Sequence, residues 1–260
     1  MEHAPREILD KTIYYLDNHD IKSIRLCCRR FAKSGPLRLF REVGIYQQRK
    51  SFQNLEMIAQ HPVYRFHVRK VILFGPFLNP ELASRGPYRK AVRESEHGRA
   101  ALGLPTGSFS SHQLKAGLLH YKQFYKDQED LGRHDQATAT LAAALTKFTN
   151  LQGVQLSYVD SGELEHHGDY PSSLWGIAVK THLPSYAFVK EDQRSPQQFP
   201  TLNRAVTVSG VRPRDLHLIL ADNQSFYDSY KFMDADFANF GQAFGHLSRL
   251  SIAVMGGLLS

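Results

Sequence analysis

Apolar residues near the start of the chain recur at the spacing of an α-helix. Leu9, Ile13 and Leu16 are separated by four and then three residues, which places them on one face of a helix. Pro5 suits the first turn of that helix, where a backbone N–H has no partner in any case. The polar residues at 17–20 interrupt the pattern, so a first helix is predicted to end there.

A second apolar stripe follows, and Asp20 in front of it is suited to be its N-cap. The stripe has spacings of three, four and three and consists of Ile21, Ile24, Cys28 and Phe31. Ser34-Gly35-Pro36 is predicted to end this helix, and a short apolar segment, 37–40, comes next. Residues 5–32 are therefore predicted to form two or three short helices.

Longer stretches of the chain alternate between helical and strand-like patterns. Residues 75–110 are rich in Gly, Pro and Ser and lack periodicity, which predicts mostly loop. The other predicted elements are a helix over 52–60 begun by Ser51, a strand over 68–73, a helix begun by Ser110 or Ser111, and a helix over 136–148 begun by Asp135.

Three segments share Phe-x-x-Leu-x-x-(Leu/Val/Ala) followed by a strand-like alternation. They are FTNLQGVQL (148–156), FPTLNRAVTV (199–208) and FGHLSRLSIAV (244–254). A helix followed by such a strand is the unit of a leucine-rich repeat, but the shared leucines lie 51 and 45 residues apart, beyond the usual period of about 20–29. We expect either degenerate repeats with long insertions or an unrelated α/β domain.

The sequence ends at MGGLLS (255–260), directly after a strand-like segment. No polar capping unit follows, as terminal repeats normally need. We therefore expect that the product is truncated or that the last strand is covered from elsewhere. An exposed apolar edge near 252–259 and a tendency to aggregate are predicted.

Composition restricts the class of protein. No run of about 18 apolar residues is present, so no membrane span is predicted. Only two of the 260 residues are cysteines, and they are adjacent, which argues against a disulfide scaffold and favours a reducing compartment, cytoplasmic or nuclear. Residues 1–75 hold 14 Lys/Arg and 7 Asp/Glu, whereas residues 76–260 hold 18 of each. The excess positive charge predicts an acidic partner, either protein or nucleic acid.

The segment APREILDKTIYYLDNHDIKSIRLCCRRFA (4–32) resembles an F-box motif. The family pattern has Leu-Pro, an acidic residue with an aliphatic pair, a turn ending in Asp-Leu, and a helix of the form L-R-x-V/T-C-R-x-F/W. GPLRLFREV (35–43) and QHPVYRFHVRKVIL (60–73) are similar to segments common in fungal F-box proteins. The first Leu of the family is Ala4 here, a smaller anchor that we expect to weaken partner binding by ~1–2 kcal/mol.

This resemblance implies a mixed fold, α+β or α/β. It predicts a three-helix F-box at 1–45, followed at 46–260 by an irregular leucine-rich-repeat-like solenoid of helices and strands. It implies a non-catalytic substrate-recognition subunit of an SCF-type ubiquitin ligase, bound through a Skp-type adaptor to a cullin–RING scaffold. The implied adaptor-binding residues are Pro5, Ile8, Leu9, Ile13, Leu16, Ile21, Ile24, Leu26 and Cys27.

No motif for phosphate binding, a nucleophile elbow or a zinc protease is present, so no enzyme and no cofactor are predicted. Cys27 and Cys28 are expected to pack on a helix face, because a zinc site needs further ligands at similar spacing. The polar run DSGELEHHGD (160–169) has metal-ligand chemistry, but we interpret it as a solvated loop. It is also a candidate for target binding, with the side chains of His166, His167, Tyr170 and Trp175.

Three alternatives to the ligase subunit remain, of which an enzyme of unrecognised type comes last. The first is an F-box protein that acts outside a ligase, for example as a scaffold. The second is nucleic-acid binding through residues 22–50, which hold nine Lys/Arg and one acidic residue. This second alternative is disfavoured because aromatic side chains, which stack on single strands, are not interleaved among those cations.

Overall fold

The computed structural model describes the following residues: 5–16, 18–75, 77–101, 103–133, 135–157, 172–184, 189–190, 198–221 and 234–255. Its helices are α1 (Arg6–Tyr15), α2 (Asn18–Ile24), α3 (Arg29–Leu39), α4 (Arg49–Gln60), α5 (Arg85–Glu94), α6 (Glu96–Ala101), α7 (Ser111–Arg133), α8 (Gln136–Lys147), α9 (Ser172–Thr181), α10 (Gln198–Ser209) and α11 (Asp234–Phe244). Its strands are β1 (Glu42–Ile45), β2 (Lys70–Phe74), β3 (Phe77–Leu78), β4 (Gly153–Ser157), β5 (Val189–Lys190), β6 (Asp215–Ala221) and β7 (Arg249–Met255). The predicted mixture of helix and sheet is confirmed.

Helices α1, α2 and α3 enclose a small core of their own. Its buried members are Leu9, Ile13, Ile21 and Phe31, so the predicted stripes are the faces that pack together. The predicted single helix from Ile21 to Phe31 is wrong, because α2 ends at Ile24 and Cys28 stands in extended conformation before α3. The break lets two short helices present these apolar residues to α1.

The termini of these helices also differ from the prediction. Asp20 lies within the first turn of α2 instead of capping it, and Ser34-Gly35-Pro36 lies inside α3. Helix α3 continues through this segment, which is buried. A Cβ at Gly35 would lie 2.5 Å from Cγ of Arg25, so the absence of a side chain allows the stem of Arg25 to pack on the helix.

Five strands form one parallel sheet whose spatial order equals their order in the chain, β1-β2-β4-β6-β7. Helices α4, α8, α10 and α11 precede β2, β4, β6 and β7, and they contact one another in the same order. Each connection thus advances the chain by one strand and one helix. The short strands β3 and β5 form a separate antiparallel pair.

Alternate strand residues face this row of helices and form the main core. One row across the sheet is Val43, Val71, Val154 and Leu216, and the next is Ile45, Leu73, Leu156 and Leu218. In β7 the same rows continue with Leu250 and Ile252, which are 53% and 56% exposed. The predicted exposed apolar edge is confirmed at Ile252, and residues 256–260 of that prediction lie outside the described part of the chain.

A second core lies where α5, α7 and α9 pack beside β1 and β2. The rings of Tyr46 and Phe74 stack with centroids 4.4 Å apart and join Tyr88, Tyr121 and other buried side chains. A Cβ at Gly44 would lie 2.8 Å from the ring of Phe74, so glycine is needed for this ring to cover β1. None of the helices described is both long and apolar enough to cross a membrane.

Strand predictions succeed at three places and fail at one. Strands occur as predicted within 68–73, 148–156 and 244–254, but 199–208 is helix α10. Leu202, Ala205 and Val206 are buried there at helical spacing, and the apparent alternation of this segment is part of that helical face. The strand of this unit is β6.

The predicted loop at 75–110 is wrong, because it contains α5 and α6. Only Tyr88 and Val92 of α5 are buried, and two apolar residues four apart give a weak helical signal. The other residues of α5, in the sequence RGPYRKAVRE (85–94), are mostly charged or small.

The predicted N-caps have different outcomes. Ser110 accepts a hydrogen bond from the N–H of Gln113, whose side chain accepts one from the N–H of Ser110, so the cap of α7 is confirmed. Ser51 lies inside α4, and its Oγ accepts a hydrogen bond from the N–H of Tyr46. Asp135 precedes α8 but makes no side-chain cap, because its carboxylate pairs with Arg204 at 2.6 Å.

Candidate protein-binding surfaces

Helix α1 presents exposed apolar side chains outside the face that packs in its core. Ile8 and Tyr15, seven residues apart, share one face of the helix and are 53% and 82% exposed. Tyr14 beside them is 63% exposed, and its ring packs edge-on against Tyr15 with centroids 5.6 Å apart. Exposed large apolar groups of this kind mark candidate contact sites.

The turn between α2 and α3 presents a further exposed side chain. The side chain of Leu26 is 89% exposed. The backbone of the turn is hydrogen-bonded: the N–H of Leu26 donates to the carbonyl of Ser23, and the N–H of Cys27 donates to the carbonyl of Ile24. Leu26 is therefore held outward by a hydrogen-bonded turn.

The structure divides the nine implied adaptor-binding residues into three groups. Pro5, Ile8, Leu26 and Cys27 are exposed, Leu16 and Ile24 are half-buried, and Leu9, Ile13 and Ile21 are buried. The buried three hold the helices together, and the exposed four are accessible to a partner without rearrangement. Apolar periodicity identifies the helix face that points into the core. Several of the nine residues lie on that face and are therefore buried.

The two cysteines occupy different environments. Cys28 is half-buried and packs against the small core, as expected, whereas Cys27 is exposed and the expectation of packing is wrong for it. Among the residues described, no three His, Cys, Asp or Glu side chains are grouped as a metal site would require.

Arg38 ties α3 to the end of α1. Its Nη1 donates to the carbonyl of Ile13 at 3.0 Å, and its guanidinium lies 5.5 Å from the centre of the Tyr14 ring. The carbonyls at a helix C-terminus have no partner within the helix, so a cation stabilises them. Arg38 also lines a cleft of about 510 Å³ with Leu37 and Arg41.

The three-helix unit is joined to the sheet by a short, packed connection. The ring of Phe40, directly after α3, stacks on Tyr64 at 4.2 Å, and Tyr64 stacks on His61 at 3.6 Å. The carbonyl of Arg41 accepts hydrogen bonds from the N–H groups of Arg69 and Lys70. Because β1 begins at Glu42, the last residues of the predicted segment 1–45 belong to the sheet.

Positive charge covers the outside of this region. The exposed cations between residues 22 and 50 are Lys22, Arg29, Arg30, Lys33, Arg41, Arg49 and Lys50. Arg49 lies 3.9 Å from carboxylate oxygens of Asp127 and Asp130 on α7. The exposed apolar side chains of α1 and of the α2–α3 turn therefore belong to a positively charged unit.

The sheet has a second face, which points away from the row of helices. One row across it reads Glu42, Lys70, Gly153, Asp215 and Arg249, and the next reads Gly44, Ile72, Gln155, His217 and Ser251. Nε of Arg249 lies 3.8 Å from Oδ1 of Asp215. Sequence reasoning missed this polar face, although alternate positions of the strands predict it.

His217 lies near the centre of this face. Partial burial lowers the pKa of His217 below its ordinary value, and the cations of Lys70 and Arg249 act in the same direction. The imidazole is therefore neutral near pH 7 and can both donate and accept a hydrogen bond.

The remaining candidates lie outside the described part of the chain. This holds for 160–169 with His166 and His167, for Tyr170, and for the side chain of Trp175, whose backbone belongs to α9. No protein-family model, curated protein or solved structure matches this chain.

Proposed function

We propose that this protein is the substrate-recognition subunit of an SCF-type ubiquitin ligase. In this proposal the α1–α3 unit is an F-box that docks on a Skp-type adaptor, and the remaining chain holds the target protein. The subunit itself is not catalytic and acts in the cytoplasm or the nucleus.

The observation that carries the proposal is the exposed apolar side chains on a helical unit with its own core. Ile8, Tyr15 and Leu26 project outward while Leu9 and Ile21 are buried. A helical unit that is already packed inside and still exposes large apolar groups suits docking into an apolar groove of a partner. The surrounding cations would accelerate association with an acidic adaptor.

The region after the helical unit supports a binding role for the remaining chain. Its parallel strands follow one another in chain order, each preceded by a helix. We propose that these units are degenerate leucine-rich-repeat-like units with long insertions. A polar sheet face and the insertions then form the surface that selects a target.

The test is co-purification of the full chain with a Skp-type adaptor. Ile8→Glu/Leu26→Glu places charge on exposed positions and leaves the core intact. Each apolar group fully buried on binding contributes about 1.5–3 kcal/mol, so we expect affinity to fall at least about tenfold per site. Val208→Glu, at a position 72% exposed on α10, is the matched control and should bind normally.

The outcomes separate the proposals. Absence of adaptor binding by the unaltered protein would reject the ligase role. If the double variant Ile8→Glu/Leu26→Glu binds the adaptor as well as the control Val208→Glu does, the docking site lies elsewhere. Adaptor binding without recruitment of a cullin would instead support the scaffold alternative. Circular dichroism of each variant shows whether the helices are intact.

A further inference from the structure

A groove runs between α5 and α7, on the side of the molecule formed by the insertion after β2. Two hollows of about 430 and 530 Å³ make up this groove, and both are lined by Arg89, Ser111 and Leu114. Exposed side chains such as Arg93 and Leu119 also line it, so the groove is accessible from solvent.

Cations dominate the groove. Its six basic lining residues are Arg85, Arg89, Arg93, Arg99, Lys115 and Lys122, and its one acidic lining residue is Glu96. Glu96 is engaged by the N–H of Gly107 at 3.1 Å. Among the described residues, no ion pair joins the five cations other than Arg99 to a carboxylate.

The spacing of the α5 arginines concentrates their charge. Arg85, Arg89 and Arg93 are four residues apart and therefore project from one face of the helix. Like charges at this spacing repel one another and destabilise a helix. An anionic occupant would remove this repulsion, which gives the groove a physical preference for acidic ligands.

Arg99 adds a fixed positive charge to the first hollow. It is 1% exposed, and its guanidinium donates to the carbonyls of Pro105 and Val92 and to Oγ of Ser95. The capped N-terminus of α7, at Ser111, lines the same hollow and contributes the positive end of a 23-residue helix.

The floor of the second hollow is aliphatic. Leu114 and Leu118 are half-buried against the second core, and Leu119 is 68% exposed. The one phenylalanine lining the groove, Phe109, stacks on His182 at 4.4 Å and lies 5.0 Å from the guanidinium of Arg99. Nucleic acid binds through free aromatic platforms, so this floor fits an aliphatic side chain better than a base.

We propose that the α5/α7 groove binds an acidic segment of a protein partner. An aliphatic side chain of the segment sits on Leu118 and Leu119, and flanking carboxylates face the arginines of α5 and Lys115. The inference deepens the proposed function, because the target held by the receptor is the natural source of such a segment. Groove binding itself requires no adaptor.

The experiment uses the purified full chain and a fluorescent synthetic peptide that alternates Glu and Asp with Leu. Fluorescence anisotropy should report saturable binding that weakens as salt rises. A peptide with Gln and Asn for the acids, and one with Ser for Leu, should each bind at least about fivefold more weakly.

Variants locate the site. Arg85→Glu/Lys115→Glu should weaken the acidic peptide at least about tenfold, whereas Lys147→Glu/Arg212→Glu, at exposed positions outside the groove, should have less than about a twofold effect. Leu119→Gln tests the floor, with Val208→Gln as its exposed control. Adaptor co-purification of the same variants should be unchanged, so failure of the ligase proposal and failure of this one give different results.

Four results would overturn the inference. Three of them are no binding of the acidic peptide up to about 1 mM, equal binding of the uncharged peptide, and full binding by the groove variants. A single-stranded oligonucleotide that competes through the same cations and binds more tightly than the peptide would also reject a peptide site.

Discussion

Two apolar side chains in one row across the sheet should differ strongly in how much they stabilise the fold when each is truncated to alanine. Leu156 and Ile252 lie in one row, on β4 and β7. Leu156 is fully buried, with Leu73 and Leu218 as its neighbours in register, whereas Ile252 is 56% exposed. The two positions differ in what covers them and not in their place on a strand.

The magnitudes follow from burial. Leu156→Ala loses the transfer energy of the side chain and leaves a cavity between neighbours that relax only in part, so the free energy of unfolding should fall by roughly 3–5 kcal/mol. Ile252→Ala removes a similar volume at about 0.8 kcal/mol per buried CH₂. Because less than half of that side chain is buried and water fills the space, we expect a loss of about 1 kcal/mol or less.

Urea denaturation followed by circular dichroism measures both losses. Each variant should be compared at two protein concentrations, because association would cover Ile252 and raise its contribution. An equal, large loss for Leu156→Ala and Ile252→Ala that does not depend on concentration would refute the reasoning, since β7 would then be covered within one molecule. A small loss at Leu156 would refute the assignment of the core.

Two further predictions concern stability. Ser51→Ala leaves the buried N–H of Tyr46 without its acceptor, so the free energy of unfolding should fall by about 1–3 kcal/mol, whereas the exposed control Ser108→Ala should change it by less than about 0.5 kcal/mol in urea denaturation. Burial lowers the pKa of His182 and of His217 below 6.5. The unfolded chain therefore takes up protons first, and stability is complete above about pH 6.5 and declines below it. Urea midpoints at pH 7.5, 6.5 and 5.5 should fall in that order, less steeply in His182→Gln, and a midpoint that rises on acidification would contradict this.

The sequence predicts elements best where apolar periodicity is continuous. The faces of α1 and α8 are clear because Leu9 and Ile13, and Leu141 and Leu145, recur at four-residue spacing and are buried. The segment that forms helix α10 has a strand-like pattern, because Val206 and Val208 alternate with polar residues. Only the fold decides that Val206 faces the core while Val208 is exposed.

The binding surfaces are harder to predict than the core. Core residues recur at a regular spacing, so the sequence identifies them. The exposure of Leu26 depends on the break between α2 and α3, and the continuous apolar stripe gives no sign of that break. The sequence pattern does not predict the groove cations either, because they are far apart in the chain. Arg85 and Lys115 lie 30 residues apart and meet only because α5 and α7 line one groove.

Counting charges over long segments also fails to reveal the basic groove. The excess of basic residues lies in 1–75, whereas 76–260 holds equal numbers of both signs, although six groove cations belong to that balanced region. Apart from Glu96, the acids that balance these cations in the count do not line the groove, for example Asp127 and Asp130 beside Arg49. Over distances beyond about 10 Å these charges are screened in physiological salt. The proposed acidic segment at the groove would therefore meet mainly the local positive charge of the groove cations.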